Sequence, residues 1–298
     1  MSAAPIAIEV PLPRNYRVAE TLEFHQRDRE EVAERVVGRV LHKALFWRQH
    51  PACLTVQFRA RHAAVTLAID GRARADDTVA VKHLARHMLG LTQPVAAFER
   101  AFRHHPILGG LVLRHSGLRV PLVATPFEAL TWAVTCQQIS MRAAVAMRRK
   151  LIRQAGRLHS SGLICYPDAA GVAALDESRL RAVGYSASKA QTLVSLARSV
   201  CSGEIPLERW MSTLPIEEMR EKLLSMRGIG PWTVDYALMR GFGWLDGSLH
   251  GDMVVRRQLQ QVLGLPEQPS VEETRAWLVP FSPWRALVAF HLWATKAK

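Results

Sequence analysis

The sequence predicts an α+β protein, in which a small N-terminal α/β domain with an antiparallel sheet and helices precedes a mostly helical body. The segment "CLTVQFRARHAAVTLAID" is rich in β-branched and aromatic residues and ends at a turn, Asp70-Gly71, so it predicts sheet. From Pro94 onward the strand signal nearly vanishes. A chain of 298 residues that is 49% hydrophobic and 22% charged is long enough for two or three globular domains. We therefore place the N-terminal domain at residues 1–93.

Helical spacing appears on both sides of this sheet signal. "REEVAERVVGRVLHKALF", residues 29–46, carries apolar residues three and four apart and predicts a helix. "DTVAVKHLARHMLGL", residues 77–91, predicts another helix, with Asp77 as its N-cap.

The helical body consists of amphipathic segments divided by short Pro, Gly, Ser and Asp punctuation. Its main segments are "TPFEALTWAVTCQQISMRAAVAMRRKLIRQAG", "DESRLRAVG", "SASKAQTLVSLARSVCSG", "LPIEEMREKLLSMRG" and "VEETRAWLVPFSPWRALVAFHLWATK".

The charge balance points to a polyanionic partner. The chain has 39 Lys plus Arg against 26 Asp plus Glu, a formal charge of +13, which favours nucleic acid first and an anionic membrane surface second. A soluble basic protein without such a partner is the alternative. No stretch approaches the roughly 20 apolar residues that cross a bilayer, and the N-terminus lacks the features of a secretory signal. We predict a cytoplasmic protein.

Cysteine and histidine spacing predicts no catalytic metal site. The cysteines are too dispersed for a zinc or iron–sulfur motif, and each is interpreted as a small buried hydrophobe. They are Cys53, Cys136, Cys165 and Cys201. His83 and His87 lie four apart, but no third ligand is evident, so a solvated helix face is the favoured interpretation.

The stretch "MRGIGPWTVDY" predicts two helices joined by a very short glycine hairpin. Apolar residues at i, i+4 and i+7 in 219–226 predict a first helix that ends near Arg227. Pro231 suits the first position of a second helix, where its missing N–H has no cost. Between the helices, Gly228 and Gly230 permit positive φ and let another backbone approach.

Such a hairpin exposes backbone N–H groups beside a helix N-terminus, which favours a phosphate regardless of base sequence. A dinucleotide fingerprint is disfavoured because a helix, not a strand, precedes the glycines. A plain structural turn remains an equal alternative on this motif alone.

Aromatic residues and one acid follow the hairpin. Trp232 and Tyr236 are four apart and project from the same face of the second helix. Asp252 immediately precedes "MVVRRQLQQVL", so it stands at a helix start, where an ordinary N-cap is the commoner role. Without further context the two rings would be interpreted as core aromatics.

Together, these features resemble the helix-hairpin-helix DNA glycosylases, and most of all their alkylation-repair branch, the 3-methyladenine DNA glycosylase II type. The hairpin, Trp232 two residues after the second glycine and Asp252 twenty residues later match that branch; bifunctional relatives carry lysine in place of Trp232. "PFEALTWAVTCQQIS", "GYSASKAQTLVSLA" and "FSPWRALVAFHLWAT" resemble further family segments. "YRVAETLEFHQRDRE" resembles the family's N-terminal strand more weakly.

The resemblance implies a division of the helical body and a set of pocket residues. Residues 94–125 plus 245–298 would form the domain with the catalytic acid, Asp252, and residues 126–244 the domain with the hairpin. The implied base-pocket residues are Trp232, Tyr236, Trp293 and Met253, of which Met253 departs from the aromatic residue common in close relatives.

The resemblance further implies which residues contact DNA. The phosphate-binding hairpin would comprise Arg227, Gly228, Ile229 and Gly230. The wedge that fills the gap left by a flipped base would come from "CQQIS", with Ile139 as the candidate and Gln138 beside it; helix core is the equal alternative for Ile139.

The expected function is excision of alkylated, cationic purines from double-stranded DNA by a monofunctional, monomeric, nucleoid-associated enzyme. No cofactor is expected, although the resemblance suggests a monovalent cation on the backbone carbonyls of the hairpin. The alternatives are a related glycosylase for mismatched or oxidised bases and a non-catalytic DNA-binding protein that uses the hairpin as a phosphate clamp.

Overall fold

The N-terminal part is a five-stranded antiparallel sheet in which the first strand pairs with the fifth, the fifth with the fourth, the fourth with the third and the third with the second. The computed structural model describes residues 4–295 of the chain. The strands are β1 (Ile6–Pro11), β2 (Glu34–Val37), β3 (Val40–Trp47), β4 (His50–Phe58) and β5 (His62–Ile69). The predicted sheet segment is therefore confirmed as the β4–β5 pair, in which Phe58 lies opposite Ala63.

The helix predicted over residues 29–46 is wrong, because β2 and β3 form a hairpin there. Val37 pairs with Val40, and Gly38 adopts φ +58° in the turn between them. The apolar residues of this segment fit a period of 3.6, but β-branched valines on both sides of a turn glycine also favour a hairpin. Pairing with β4 decides between the two patterns.

Two helices accompany the sheet. Helix α1 (Val18–His25) occupies the segment that resembled a first strand, so that resemblance does not hold for its secondary structure. Helix α2 (Asp77–Met88) confirms the predicted helix, but Asp77 is its first residue and not its N-cap, which is Asp76. The Asp77 carboxylate is buried and accepts hydrogen bonds from Trp47 Nε1 at 2.9 Å and Arg74 N at 2.6 Å.

From residue 95 onward the described chain is helical, as predicted. The helices are α3 (Val95–Phe102), α4 (Gly109–Arg114), α5 (Pro126–Cys136), α6 (Met141–Ala155), α7 (Ala169–Ala173), α8 (Glu177–Ala182), α9 (Ala187–Cys201), α10 (Leu207–Thr213), α11 (Ile216–Leu224), α12 (Pro231–Ala237), α13 (Met253–Leu263), α14 (Val271–Leu278) and α15 (Arg285–Ala294). A π-helical turn (Leu238–Phe242) extends α12, and a 3₁₀ turn (Val279–Phe281) follows α14. Within residues 4–295, no helix has the length and apolar character needed to span a membrane.

Three large apolar clusters organise the chain. One joins the sheet to α2, a second lies among α5, α9, α11 and α12, and a third packs α3, α4, α13 and α15 together. Helix α5 contributes to both helical clusters, since Trp132 faces one and Leu130 the other. The predicted domain boundaries at residues 93, 125 and 244 stay a prediction.

The cysteines and the two spaced histidines differ in exposure. Cys53 and Cys165 are buried and Cys136 is half-buried, but Cys201 is exposed, so its interpretation as a buried hydrophobe is wrong. His83 is exposed, whereas burial lowers the pKa of His87 to about 4.

A buried ion cluster fastens the sheet to the helical body. Its members are Glu34 on β2, Lys43 on β3, Glu128 on α5 and Arg148 on α6. Lys43 Nζ lies 2.7 Å from Glu34 Oε1 and 2.9 Å from Glu128 Oε1. Arg148 Nη2 also bridges the two glutamates, at 3.1 and 2.9 Å, so each acid contacts both cations.

Candidate active site

The Asp252 carboxylate lies where three helices meet. It is the N-cap of α13, and its Oδ1 accepts hydrogen bonds from Val254 N at 2.9 Å and Val255 N at 3.0 Å. Two indoles also donate to it: Trp232 Nε1 on α12 to Oδ2 and Trp293 Nε1 on α15 to Oδ1, both at 3.1 Å. Four N–H donors thus fix the position of one half-buried carboxylate.

Three of the predicted pocket residues form an aromatic wall beside this carboxylate. The rings of Trp232 and Tyr236 are stacked with centroids 5.1 Å apart, and Tyr236 lies 6.2 Å from Trp293. Trp132 Nε1 donates to Tyr236 Oη at 3.0 Å, which fixes the phenol from behind. The structure therefore brings Asp252 and the aromatic wall together.

Two arginines behind the aromatic wall have no counterpart in the sequence predictions. The guanidinium carbon of Arg240, in the π-helical turn, lies 5.8 Å from the Trp293 ring centre and 4.5 Å from that of Phe24. Arg27 lies 4.4 Å from Phe24 and 4.5 Å from Trp132. Buried Nε atoms of both arginines lack a hydrogen-bond partner. The N-terminal domain thus contributes Phe24 and Arg27 to this region, which no sequence spacing indicated.

The structure does not enclose Met253 with the aromatic residues. Its side chain follows Asp252 at the first position of α13 and is 71% exposed. Packing against a base would require the DNA to reach it, so its assignment to the base pocket stays a prediction.

An ion pair to α15 and a close approach to α12 hold the loop that leads to Asp252. Arg285 on α15 binds Asp246 with two hydrogen bonds, at 2.8 and 2.9 Å. Gly247 of this loop lies against Asp235 on α12, since a Cβ on Gly247 would lie 3.0 Å from the Asp235 Cβ. Burial raises the pKa of Asp235 to about 6, although its ion pair with Arg220 on α11 opposes this shift. The loop is therefore tied to the same two helices that donate the indoles.

The glycine hairpin connects α11 to α12. Helix α11 ends at Leu224, three residues earlier than predicted, and α12 begins at Pro231 as predicted. Gly228 adopts φ +87°, and a Cβ there would lie 2.1 Å from Thr192 Oγ1. Gly230 adopts φ −102°, so only Gly228 uses the positive φ that both glycines permit. A Cβ on Gly230 would point into open space, where a ligand backbone has room to approach.

The remaining hairpin residues face in different directions. Arg227 is exposed, whereas Ile229 is buried in the apolar cluster of α11 and α12. Ile229 can therefore meet a ligand only through its backbone, and its side chain anchors the hairpin.

The predicted wedge residues lie in the short loop between α5 and α6. Gln138 is exposed and adopts φ +55°, and Ile139 is 36% exposed. The alternative of helix core for Ile139 is therefore wrong. Gln137, which the sequence predictions did not assign to the site, donates from Nε2 to Gly228 O at 2.9 Å and links this loop to the hairpin.

Backbone carbonyls of the hairpin already accept hydrogen bonds. Ile229 N donates to Met226 O, Thr192 Oγ1 to Arg227 O, and Gln137 Nε2 to Gly228 O. A carbonyl oxygen has two lone pairs, so each keeps one for a cation. These carbonyl oxygens are suitable ligands for the monovalent cation that the resemblance implies, and that cation stays a prediction.

Comparison with known proteins assigns the family. Residues 131–283 match the family model of the HhH-GPD superfamily of base excision DNA repair proteins, and residues 7–125 match the AlkA N-terminal domain. The chain belongs to the HhH-GPD superfamily. The predicted family and fold class are confirmed, and the predicted class of enzyme is that of the curated relatives.

One curated relative and two solved structures illustrate the similarity. DNA-3-methyladenine glycosylase 2 of Escherichia coli is 28% identical over 242 residues, 73% of this chain and 80% of that protein. The solved 3-methyladenine DNA glycosylase of Archaeoglobus fulgidus superposes with a TM-score of 0.82 over 96% of this chain and 97% of that one, at 22% identity. Mag1 of Schizosaccharomyces pombe, a 3-methyladenine DNA glycosylase solved with abasic DNA, superposes with a TM-score of 0.57 at 27% identity. The superposition covers 66% of this chain and 95% of Mag1.

The two hairpin glycines allow a matched test of the geometry. We expect Gly228→Ala to lower the free energy of unfolding by about 1–3 kcal/mol, because alanine disfavours φ +87° and its Cβ meets Thr192. Gly230→Ala should leave stability within about 0.5 kcal/mol, because its Cβ meets open space. Urea unfolding of both variants measures the difference, and equal stabilities would contradict the hairpin geometry.

Proposed function

We propose that this protein is a monofunctional DNA glycosylase that excises alkylated, cationic purines such as 3-methyladenine and 7-methylguanine from double-stranded DNA. It would hydrolyse the N-glycosidic bond and leave an abasic site. The observation that carries this proposal is the Asp252 carboxylate, held by Trp232 and Trp293 at the edge of the aromatic wall. Relatives named as 3-methyladenine glycosylases support the class of substrate.

The chemistry requires a nucleotide outside the helix. A base in duplex DNA is out of reach, so the enzyme flips the nucleotide and stacks the base on Trp232 and Tyr236. An alkylated purine leaves as a neutral base, so departure needs no proton donor. The sugar becomes an oxocarbenium-like cation, which the negative charge of Asp252 stabilises.

Water then completes the hydrolysis. Asp252 orients a water molecule toward the anomeric carbon, the water oxygen forms the new bond, and its proton passes to the carboxylate or to solvent. One carboxylate is sufficient, unlike the paired acids of glycoside hydrolases.

The arginines behind the aromatic wall affect how a cationic base is selected. Cation–π attraction to a desolvated aromatic pocket contributes about 1–2 kcal/mol. The guanidinium carbon of Arg240 already lies 6.0 Å from the centre of the Tyr236 ring, and its charge opposes the binding of a second cation to that ring. Selection therefore rests more on the weakened glycosidic bond of an alkylated purine than on cation–π binding.

DNA would be held at the hairpin and at the loop between α5 and α6, residues 137–140, which we call the wedge loop. Backbone N–H groups near Gly230 and the N-terminus of α12 suit a phosphate, and the net charge of +13 supports binding to a polyanion. Gln138 and Ile139 would enter the space that the flipped nucleotide leaves. The enzyme is proposed to act as a monomer.

Base release tests the proposal directly. We expect the protein to release 3-methyladenine and 7-methylguanine from DNA treated with a methylating agent, as identified by chromatography of the ethanol-soluble bases. DNA binding without any base release would instead favour the non-catalytic phosphate clamp.

A second assay tests whether the enzyme is monofunctional. Trp232 occupies the position of the lysine that attacks the sugar in bifunctional relatives, and the Nζ of nearby Lys222 on α11 donates to Glu204 O at 3.0 Å. We therefore expect the abasic product strand to stay intact until alkali is added, and borohydride to trap no protein–DNA adduct. A trapped adduct would contradict the monofunctional scheme.

A further inference from the structure

Gln137 joins two elements that are far apart in the sequence and that both face the proposed DNA. Its Nε2 donates to Gly228 O in the hairpin at 2.9 Å and to Thr233 Oγ1 in the first turn of α12 at 2.8 Å. Its backbone belongs to the wedge loop, immediately before Gln138. A single amide group therefore spans the gap between the wedge loop and the hairpin.

Helix α9 holds both elements from behind. Lys189 Nζ donates to Thr135 O at 2.9 Å and to Gln137 O at 2.6 Å, at the start of the wedge loop. One turn later, Thr192 Oγ1 donates to Arg227 O at 3.0 Å, and its side chain fills the space next to Gly228. The wedge loop and the hairpin thus share one rigid support.

The wedge loop is also held in a conformation that its sequence disfavours. Gln138 adopts φ +55°, which costs free energy for a residue with a side chain and persists only where neighbouring contacts impose it. The hydrogen bonds of Gln137 and Lys189 hold the residue immediately before Gln138. The result is that Gln138 and Ile139 project outward, unpaired, next to the hairpin.

We propose that Gln137 is a positioning residue that couples phosphate binding at the hairpin to insertion of the wedge at residues 138–139. This inference rests on the proposed function, since it concerns how the same enzyme extrudes its substrate. A phosphate bound at the hairpin fixes the DNA backbone, and the Gln137 amide fixes the wedge relative to that phosphate. Insertion then needs no separate ordering of the wedge loop when the nucleotide leaves the stack.

The coupling predicts a specific kind of defect. Without the Gln137 hydrogen bonds, the hairpin still binds phosphate and Asp252 still supports hydrolysis, but wedge insertion becomes less favourable. The loss of base-release rate should therefore be large where extrusion of the nucleotide is difficult and small where the base is already outside the helix. A general loss of folding would lower both activities alike.

Gln137→Ala removes the whole side-chain amide. Gln137→Glu replaces only its NH₂ group by oxygen, so both N–H donors are lost with almost no change in size. Gln154→Ala and Gln154→Glu are matched controls, because Gln154 is an exposed glutamine on α6. Single-turnover release would be measured from a duplex with one 7-methylguanine paired with cytosine and from one in which the 7-methylguanine is bulged. We expect a loss about tenfold greater on the paired lesion than on the bulged one for both Gln137 variants.

A measurement without chemistry separates this inference from the proposed function. Fluorescence of 2-aminopurine opposite a tetrahydrofuran abasic analogue reports wedge insertion whether or not bases are released. A saturating concentration of the wild-type protein should raise the 2-aminopurine fluorescence. The Gln137 variants should raise this fluorescence less, although they still bind the duplex. Equal losses on both lesions, or unchanged fluorescence amplitude in folded Gln137 variants, would overturn the coupling. Wild type that inserts its wedge but releases no methylpurine would overturn the proposed function alone.

Discussion

Asp252→Asn should abolish detectable methylpurine release, lowering the single-turnover rate by about 10³-fold, while the protein still folds and binds DNA. Asparagine is as good an N-cap as aspartate, so its oxygen can keep the bonds to Val254 N and Val255 N. Its NH₂ group would instead face the Trp232 N–H, and two donors cannot form a hydrogen bond with each other. The substitution also removes the negative charge that stabilises the sugar cation in the proposed mechanism.

The matched control is Asp168→Asn, which makes the same change at another helix N-cap. Asp168 caps α7 by accepting a hydrogen bond from Gly171 N at 2.8 Å, remote from the aromatic wall. We expect this variant to release methylpurines at the wild-type rate. Release by Asp252→Asn at a rate near that of wild type would remove the carboxylate from the mechanism.

Glu128→Gln should lower the free energy of unfolding by about 3–5 kcal/mol, the largest stability effect we predict. The buried ion cluster pairs Glu34 and Glu128 with Lys43 and Arg148. Neutralising Glu128 leaves two buried cations to share one carboxylate. Urea unfolding monitored by tryptophan fluorescence measures the loss.

The pH dependence of this effect follows from the pKa of Glu34 and of Glu128. Burial alone would raise both pKa values, but Lys43 and Arg148 outweigh it and hold the pKa of Glu34 well below its ordinary 4.5 and that of Glu128 lower than usual. A carboxyl with a depressed pKa in the folded state stabilises the fold above its ordinary pKa, and that contribution is lost as pH falls through the folded value. The difference in free energy of unfolding between wild type and Glu128→Gln should therefore have its full value at pH 7 and shrink below about pH 4.5.

Glu30→Gln provides the exposed counterpart. Glu30 pairs with Arg149 and Arg153 on α6 but is half-exposed to solvent. Such a pair contributes about 0–1 kcal/mol, because water screens the charges. Equal stability losses for Glu30→Gln and Glu128→Gln would contradict the structural distinction between the two ion pairs.

Local sequence was sufficient to predict the helical body and the hairpin. Glycine followed by proline at a helix start, two aromatics four apart and an acid before an apolar stripe are local signals, and each lies on the element it predicts. Local signals failed over residues 29–46, where the apolar spacing fits a helix and a β-hairpin equally well. There, hydrogen bonding to β4 selected the strands.

Groups that meet across the fold were beyond prediction from the sequence. Arg27 and Arg240 both lie over the Phe24 ring, and nothing in the sequence relates Arg240 to the other two residues. Gln137 stood inside a segment that was assigned to the wedge, but its hydrogen bonds to Gly228 and Thr233 exist only because α5 packs beside α12.

The sequence by itself determined the family, the positions of Asp252, Trp232 and Tyr236 on their helices, and the place of the turn at Gly228. These depend on backbone propensities and on spacing within one or two turns, which neighbouring residues fix. Tertiary structure alone decided that two indoles from α12 and α15 donate to one carboxylate, and that one glutamine joins the wedge loop to the hairpin. Such contacts depend on how helices pack, and packing is set by many weak interactions between residues distant in the chain.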